Sequence, residues 1–190
     1  AVESLSEAIA IDPNYVDAHY NLAITLKDLN QLDGAVQSYQ KVIEINPNFA
    51  QAYNNLGNLM KDLGQTDDAI KNYQKAIEIN PSFAHAYNNL GSTLMNLGRR
   101  KESIQSYEKA ISIDPKNILA LINLGSALSS LGQLKAGAKS FEKAIEIDPE
   151  FAEAYNSLGN IYRRLKLRGK ALICYERAYA LKPDMDFVLG

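Results

Sequence analysis

The sequence predicts an all-α solenoid of stacked antiparallel helix pairs, and three observations predict it. The six prolines of this 190-residue chain are Pro13, Pro47, Pro81, Pro115, Pro149 and Pro183, each 34 residues after the one before. A fixed period of this length marks a repeat architecture. Aligned on that period, positions 4, 7, 8 and 11 of each unit fall on one helical face and carry large, leucine, small and large residues in turn. Further along each unit, small side chains at positions 20 and 27 flank an aromatic at position 24. Small set against large, in register, is what interlocking helices need.

With each unit ending two residues after its proline, the full units are 16–49, 50–83, 84–117, 118–151 and 152–185. Residues 1–15 are then the second helix of an incomplete unit. Residues 186–190 open a further unit or the junction to a following domain.

The first helix of each unit presents His19, Tyr53, Tyr87, Leu121 and Tyr155 at position 4, and Leu22, Leu56, Leu90, Leu124 and Leu158 at position 7. Position 8 is Ala23, Gly57, Gly91, Gly125 and Gly159, and position 11 is Leu26, Met60, Leu94, Leu128 and Tyr162. Glycine inside a helix costs ~1 kcal/mol relative to alanine, so its recurrence predicts close approach by a second helix. A turn follows at Asn30, Gly64, Gly98, Gly132 and Lys166. Glycine and asparagine suit the left-handed residue after a helix, and lysine does not. The second helix carries Ala35, Ala69, Ser103, Gly137 and Ala171 at position 20 and Tyr39, Tyr73, Tyr107, Phe141 and Tyr175 at position 24. Val42, Ala76, Ala110, Ala144 and Ala178 stand at position 27. The residue before proline is pushed out of the helical region, so each second helix stops there.

This pattern resembles the tetratricopeptide repeat over essentially the whole chain. The resemblance implies a right-handed superhelix whose concave groove is lined by the first helices, with positions 2, 5, 6, 9, 12 and 13 facing a ligand. Position 6 is the most informative, reading Asn21, Asn55, Asn89, Asn123 and then Ser157. Asn54, Asn88 and Asn156 recur at position 5, and Asn58 and Asn160 at position 9. An amide both donates and accepts, so such a row can pair with the main chain of an extended polypeptide regardless of its sequence. The same amides can instead pack between adjacent units, and the two readings are compatible.

The asparagine row is similar to that of the protein O-GlcNAc transferases, whose superhelical region holds substrate polypeptides. The matching residues are Asn21, Asn55, Asn89 and Asn123. That family also uses aspartates at position 2, where this chain has Asp17, Gln51, His85, Leu119 and Glu153. Only Asp17 matches, so the family's side-chain selectivity is not carried over. Residues 180–187, Ala-Leu-Lys-Pro-Asp-Met-Asp-Phe, are similar to the junction leading into the transferase domain of SPINDLY-type relatives. Phe187, Val188 and Leu189 read equally as the start of another helix. The lysines and arginine of the clamp that grips a chaperone's C-terminal carboxylate are absent from positions 2, 5 and 6.

The function implied is an interaction scaffold that binds an extended polypeptide, as the substrate-recruiting part of an O-linked N-acetylglucosamine transferase-like protein. The alternative is an assembly scaffold with no attached enzyme, docking a partner helix through apolar groove residues such as Ile24, Leu119 and Ile122.

Composition narrows the field. The net charge of −2 sets up no global field toward nucleic acid or an acidic membrane. No apolar run approaches the roughly 20 residues of a membrane span. The start of the chain has no basic segment ahead of an apolar one, so no signal peptide is expected. One cysteine excludes an intrachain disulfide framework, and a reducing, cytoplasmic location is expected. Residues 1–98 carry 5 basic and 11 acidic residues, net −6, and residues 99–190 carry 15 and 11, net +4. The run from Arg163 to Lys170 holds five of those basic residues. Arg163 and Arg164, at positions 12 and 13, are the candidate contacts for an anionic partner, and the run reads also as a solvated turn.

Cys174 lacks any partner at metal or catalytic spacing and reads as an inert thiol. No phosphate-binding glycine loop, metal-ligand motif or nucleophile–base grouping occurs. No cofactor or metal is expected, and the chain reads as non-enzymatic. Ala1 falls at position 20, inside a second helix, which suggests an excised piece. Its bared end faces would then stack end to end, as self-association.

Overall fold

In the computed structural model of the chain, residues 1–183 are described. They form eleven α-helices: α1 (Val2–Ile11), α2 (Val16–Asp28), α3 (Leu32–Ile45), α4 (Ala50–Asp62), α5 (Thr66–Ile79), α6 (Ala84–Asn96), α7 (Arg100–Ile113), α8 (Ile118–Ser130), α9 (Leu134–Ile147), α10 (Ala152–Arg164) and α11 (Arg168–Leu181). No strand occurs among the described residues. The segment 186–190, and the junction read into residues 180–187 from Asp184 on, lie outside them.

The chain forms two compact units, Ala1–Thr93 and Leu94 onward, divided within α6. In the first, α2 pairs with α3 and α4 with α5, while α1 packs on α2 and α3 on α4. In the second, α8 pairs with α9 and α10 with α11, while α7 packs on α8 and α9 on α10. Loops of three residues join the members of each pair, so the paired helices run antiparallel.

The distance between paired helices is set by a ring lying on a glycine. A Cβ added at Gly57 would stand 2.8 Å from the Tyr73 ring. At Gly125 it would stand 2.8 Å from Phe141, and at Gly159 2.7 Å from Tyr175. The position-8 glycine is therefore kept because the position-24 aromatic occupies the space of its side chain. The small residues at positions 20 and 27 complete the joint: Ala35, Val42, Ala69, Ala76, Ser103, Ala110, Ala144 and Ala178 are all fully buried. In the second unit Leu121, Phe141, Leu158 and Ile161 form one apolar cluster with Cys174.

Both kinds of turn follow from local chemistry. Gly64, Gly98 and Gly132 take φ of 76°, 74° and 76°, and Asn30 takes 58°. Lys166, unsuited to the left-handed region, adopts it all the same at φ 61°. The reason is the hydrogen bond that closes each first helix. The next amide reaches back five residues, as Gln65 N–H to the Met60 carbonyl (2.8 Å) and Leu167 N–H to the Tyr162 carbonyl (2.9 Å). That closure satisfies otherwise orphaned carbonyls and needs a left-handed residue between.

The second helices end at an extended residue before proline: Asp12, Asn46, Asn80, Asp114 and Asp148. Each side chain there accepts from the amide two residues on, at 3.0–3.2 Å. Such a bond gives the chain a local alternative to continuing the helix.

Two glycines separate packing from propensity. Gly57→Ala drives a methyl into the Tyr73 ring, which is 0 % exposed. Overpacking of about 1–3 kcal/mol exceeds the ~1 kcal/mol gained in helix propensity, so thermal denaturation should show a lower Tm. Gly169 in α11 has nothing within 4 Å of an added Cβ, so Gly169→Ala should raise Tm slightly. Equal shifts in the two variants would remove the ring-on-glycine account.

Candidate polypeptide-binding face

The first helices carry the amides, and the ring-on-glycine joint fixes their rotation. In the first unit the amides form a hydrogen-bonded chain across neighbouring helices. Asn89 Nδ2 donates to Asn54 Oδ1 (3.0 Å), Asn54 Nδ2 to Asn55 Oδ1 (3.3 Å), and Asn55 Nδ2 to the Tyr20 hydroxyl (2.9 Å). Residues 35 apart are thereby tied from α6 to α4 and from α4 to α2. Tyr20 itself stands edge-on to Tyr39 and Phe49, with centroids 5.9 and 5.1 Å away.

The structure thus spreads the sequence-predicted asparagines over several environments. Asn54 and Asn88 are buried, at 6 % and 8 % exposure. Asn55 and Asn89 are half-buried, and Asn21 is exposed. Asn58 is half-buried, and its Oδ1 accepts from the Tyr73 hydroxyl (2.8 Å). In the second unit Asn123 and Asn156 are half-buried. Asn160 there repeats the Asn58 arrangement, accepting from the Tyr175 hydroxyl (2.9 Å).

An amide has two donor and two acceptor positions. On Asn55 and Asn89 the bonds above leave part of that capacity unused. The half-buried amides therefore sit in fixed orientations with hydrogen-bonding groups to spare.

Arg163 and Arg164 are both exposed at the end of α10. Arg164 Nη1 donates to the Ser129 carbonyl at the end of α8 (3.1 Å), while Arg163 lies beside it with no protein partner among the described residues. Tyr162 donates to Glu142 Oε1 (2.7 Å), and Lys170 lies over the Tyr162 ring at 5.4 Å. His19 is buried and its Nε2 carries the proton, because its partner is the Pro13 carbonyl (3.0 Å). Cys174 is buried in the apolar cluster, and burial pushes its thiol up from the ordinary value.

Reading the sequence missed the tyrosine hydroxyls as partners of the amides. Position 9 is asparagine in the units of Tyr73 and Tyr175, but isoleucine in that of Tyr39 and serine in those of Tyr107 and Phe141, so the repeat pattern carries no consistent signal for the pairing.

Comparison with known proteins agrees with this geometry. The description "TPR repeat" matches residues 1–29, 25–64, 59–98 and 125–166, and "Tetratricopeptide repeat" matches 84–117, 106–137 and 152–185. The chain belongs to the tetratricopeptide repeat family. Among curated proteins none matches it.

Several solved structures are similar. One of MamA shares 28% identity, covering 85% of this chain and 95% of its own, at TM-score 0.78. YrrB, a TPR protein with an unusual peptide-binding site, shares 26% identity over 97% of this chain and 95% of its own, at TM-score 0.76. PilF of Pseudomonas aeruginosa, at 17% identity, 95% and 82% coverage and TM-score 0.84, shares the fold. The fold class is the all-α helical repeat that the proline period predicts. Proteins of this kind act as scaffolds for protein–protein interaction. No described helix is long and apolar enough to cross a membrane.

The aromatic joint has a consequence at high pH. Burial pushes the Tyr39 and Tyr73 phenols up to about 12. In the unfolded chain they ionise near the ordinary value of about 10. The native state therefore binds these protons more tightly. Its stability is complete below about pH 10 and is lost as pH rises from there toward 12. Circular dichroism should show helix content constant to about pH 10 and falling above it, together with late phenolate absorbance. Ionisation of every tyrosine near pH 10, with helix content intact, would contradict the buried joint.

Proposed function

We propose that this tetratricopeptide repeat scaffold binds an extended polypeptide along the faces of its first helices, reading the main chain through asparagine amides. The observation that carries the reading is the hydrogen-bonded row from Asn89 to Tyr20, which holds the half-buried amides of Asn55 and Asn89 in place beside exposed Asn21. Asn58 adds to it in the first unit, and Asn123, Asn156 and Asn160 supply the corresponding groups in the second. Similarity to YrrB, described as a TPR protein with an unusual peptide-binding site, supports the same reading.

A second reading, docking of an amphipathic partner helix, is favoured by Leu119. This side chain stands at position 2 of its unit and is 59% exposed.

One experiment separates the two. The combined Asn21→Ala, Asn55→Ala and Asn89→Ala variant should weaken extended-peptide binding by about 0.5–1.5 kcal/mol per lost bond. Leu119→Ser should leave that binding unchanged. Because Asn55 and Asn89 also tie neighbouring helices together, thermal unfolding is measured in parallel and binding is compared below the transition. Peptide affinity that survives the triple change in a folded protein would remove the amide reading. Loss in Leu119→Ser alone would favour the helix-docking scaffold.

The finer reading makes the scaffold the substrate-recruiting part of an O-linked N-acetylglucosamine transferase-like protein. What supports it is asparagine at position 6 in four successive units. On this reading the gene's reading frame beyond Gly190 should encode a nucleotide-sugar transferase domain. Sequencing that reveals only further repeats or a stop codon there would remove the transferase link and leave the scaffold.

A further inference from the structure

We propose that the face shared by α8 and α10 carries a pocket for one anionic side chain of the bound polypeptide, a carboxylate or a phosphomonoester. The proposal rests on the reading of this face as polypeptide-binding and names the chemistry it selects.

The pocket arises from a paired departure from the repeat. In units 50–83 and 152–185 a position-24 tyrosine donates to a position-9 asparagine, Tyr73 to Asn58 and Tyr175 to Asn160. Unit 84–117 has Ser92 at position 9 but keeps Tyr107, and in unit 118–151 both members change, to Phe141 and Ser126. Phenylalanine has no hydroxyl to satisfy, and serine is shorter than asparagine by the amide group. A cavity of about 160 Å³ lies at that place, lined in part by both residues. Its apolar floor is Phe141 and Ile161, each 2 % exposed. Sites for whole small molecules run to about 300–1,000 Å³, so this cavity fits a side chain.

The polar lining is rich in donors. The Asn160 oxygen is taken by the Tyr175 hydroxyl, so what Asn160 can offer is its N–H groups. The hydroxyls of Ser126 and Ser157 have no protein partner among the described residues. Arg164 closes the rim. Its bond to the Ser129 carbonyl (3.1 Å) steadies a guanidinium that keeps four of its five N–H donors for a ligand. No acidic side chain lines the cavity. An apolar floor under several donors and one fixed positive charge fits a short side chain with an apolar stem and an oxyanion head.

The test uses the full chain and fluorescently labelled degenerate 12-residue peptide pools with one fixed central residue: Glu, Gln, phosphoserine or Ser. Anisotropy should show the Glu pool bound over the Gln pool, or the phosphoserine pool over the Ser pool, by roughly three- to tenfold. The larger ratio identifies the head group. Arg164→Gln should bring the ratios near one, and Arg164→Lys should keep part of the preference. The double variant Ser126→Asn with Phe141→Tyr rebuilds the pair used in units 50–83 and 152–185. It should fold normally and lose the preference as the cavity fills. Wild-type ratios near one, with all pools bound, overturn the pocket and leave polypeptide binding standing. Failure of every pool to bind overturns both.

Discussion

The structure depends on the close approach of each second helix to its partner, made in three helix pairs where an aromatic ring lies on a glycine backbone. The Tyr73, Phe141 and Tyr175 rings fill the places where side chains of Gly57, Gly125 and Gly159 would stand. Burying such a ring contributes roughly 1.5–3 kcal/mol, which outweighs the ~1 kcal/mol helix cost of the glycine beneath it. The contact also sets rotation. With position 8 turned onto the ring, positions 5, 6 and 9 are turned toward the neighbouring first helix and the solvent. The tyrosine hydroxyl then reaches position 9, and the joint that holds the pair together also orients a side chain of the candidate binding face.

Internal bonding of the amides and binding of a ligand are compatible. An isolated asparagine on a helix loses side-chain freedom when it binds a peptide, and that cost subtracts from affinity. In the first unit the cost is met during folding. Asn89, Asn54, Asn55 and Tyr20 already hold one another. The same bonds couple neighbouring helix pairs within that unit, and such contacts are where a repeat protein's cooperativity resides. A ligand that pairs with Asn55 and Asn89 would therefore tighten the contact between neighbouring first helices of that unit, so that binding and stability are linked.

The fold could be read from the sequence because its determinants are local and repeated. The proline period placed the helix ends, and the glycine, small-residue and aromatic positions placed the joint. Each signal recurs, so chance matches average out. The environment of each amide could not be read in the same way. Asn54 and Asn55 are adjacent in sequence, yet one is 6 % exposed and the other half-buried. Which one turns inward depends on how far each helix pair rotates relative to the next, and the summed packing of many side chains sets that rotation. The bond from Arg164 to Ser129 spans 35 residues and depends on the same rotation. Lys166 shows tertiary closure overriding local preference. Helix α10 must end there, so a lysine takes the left-handed conformation that glycine holds in the turns at Gly64, Gly98 and Gly132.

Departures from a repeat carry information when they are compensated. Asparagine at position 9 accompanies tyrosine at position 24 in units 50–83 and 152–185, while Tyr39 stands with Ile24 and Tyr107 with Ser92. In unit 118–151 Phe141 brings no hydroxyl, so Ser126 leaves none stranded. Asn117 stands where Phe49, Phe83 and Phe151 precede other first helices. In place of the lost ring, its side chain accepts from the Ala120 amide (3.0 Å) and caps α8. The helix pair is kept at each exchange, and a cavity with donor groups lies on the face of α8 and α10. In a protein whose units share one structural plan, such compensated exceptions are where a preference among ligands can be built without loss of the fold.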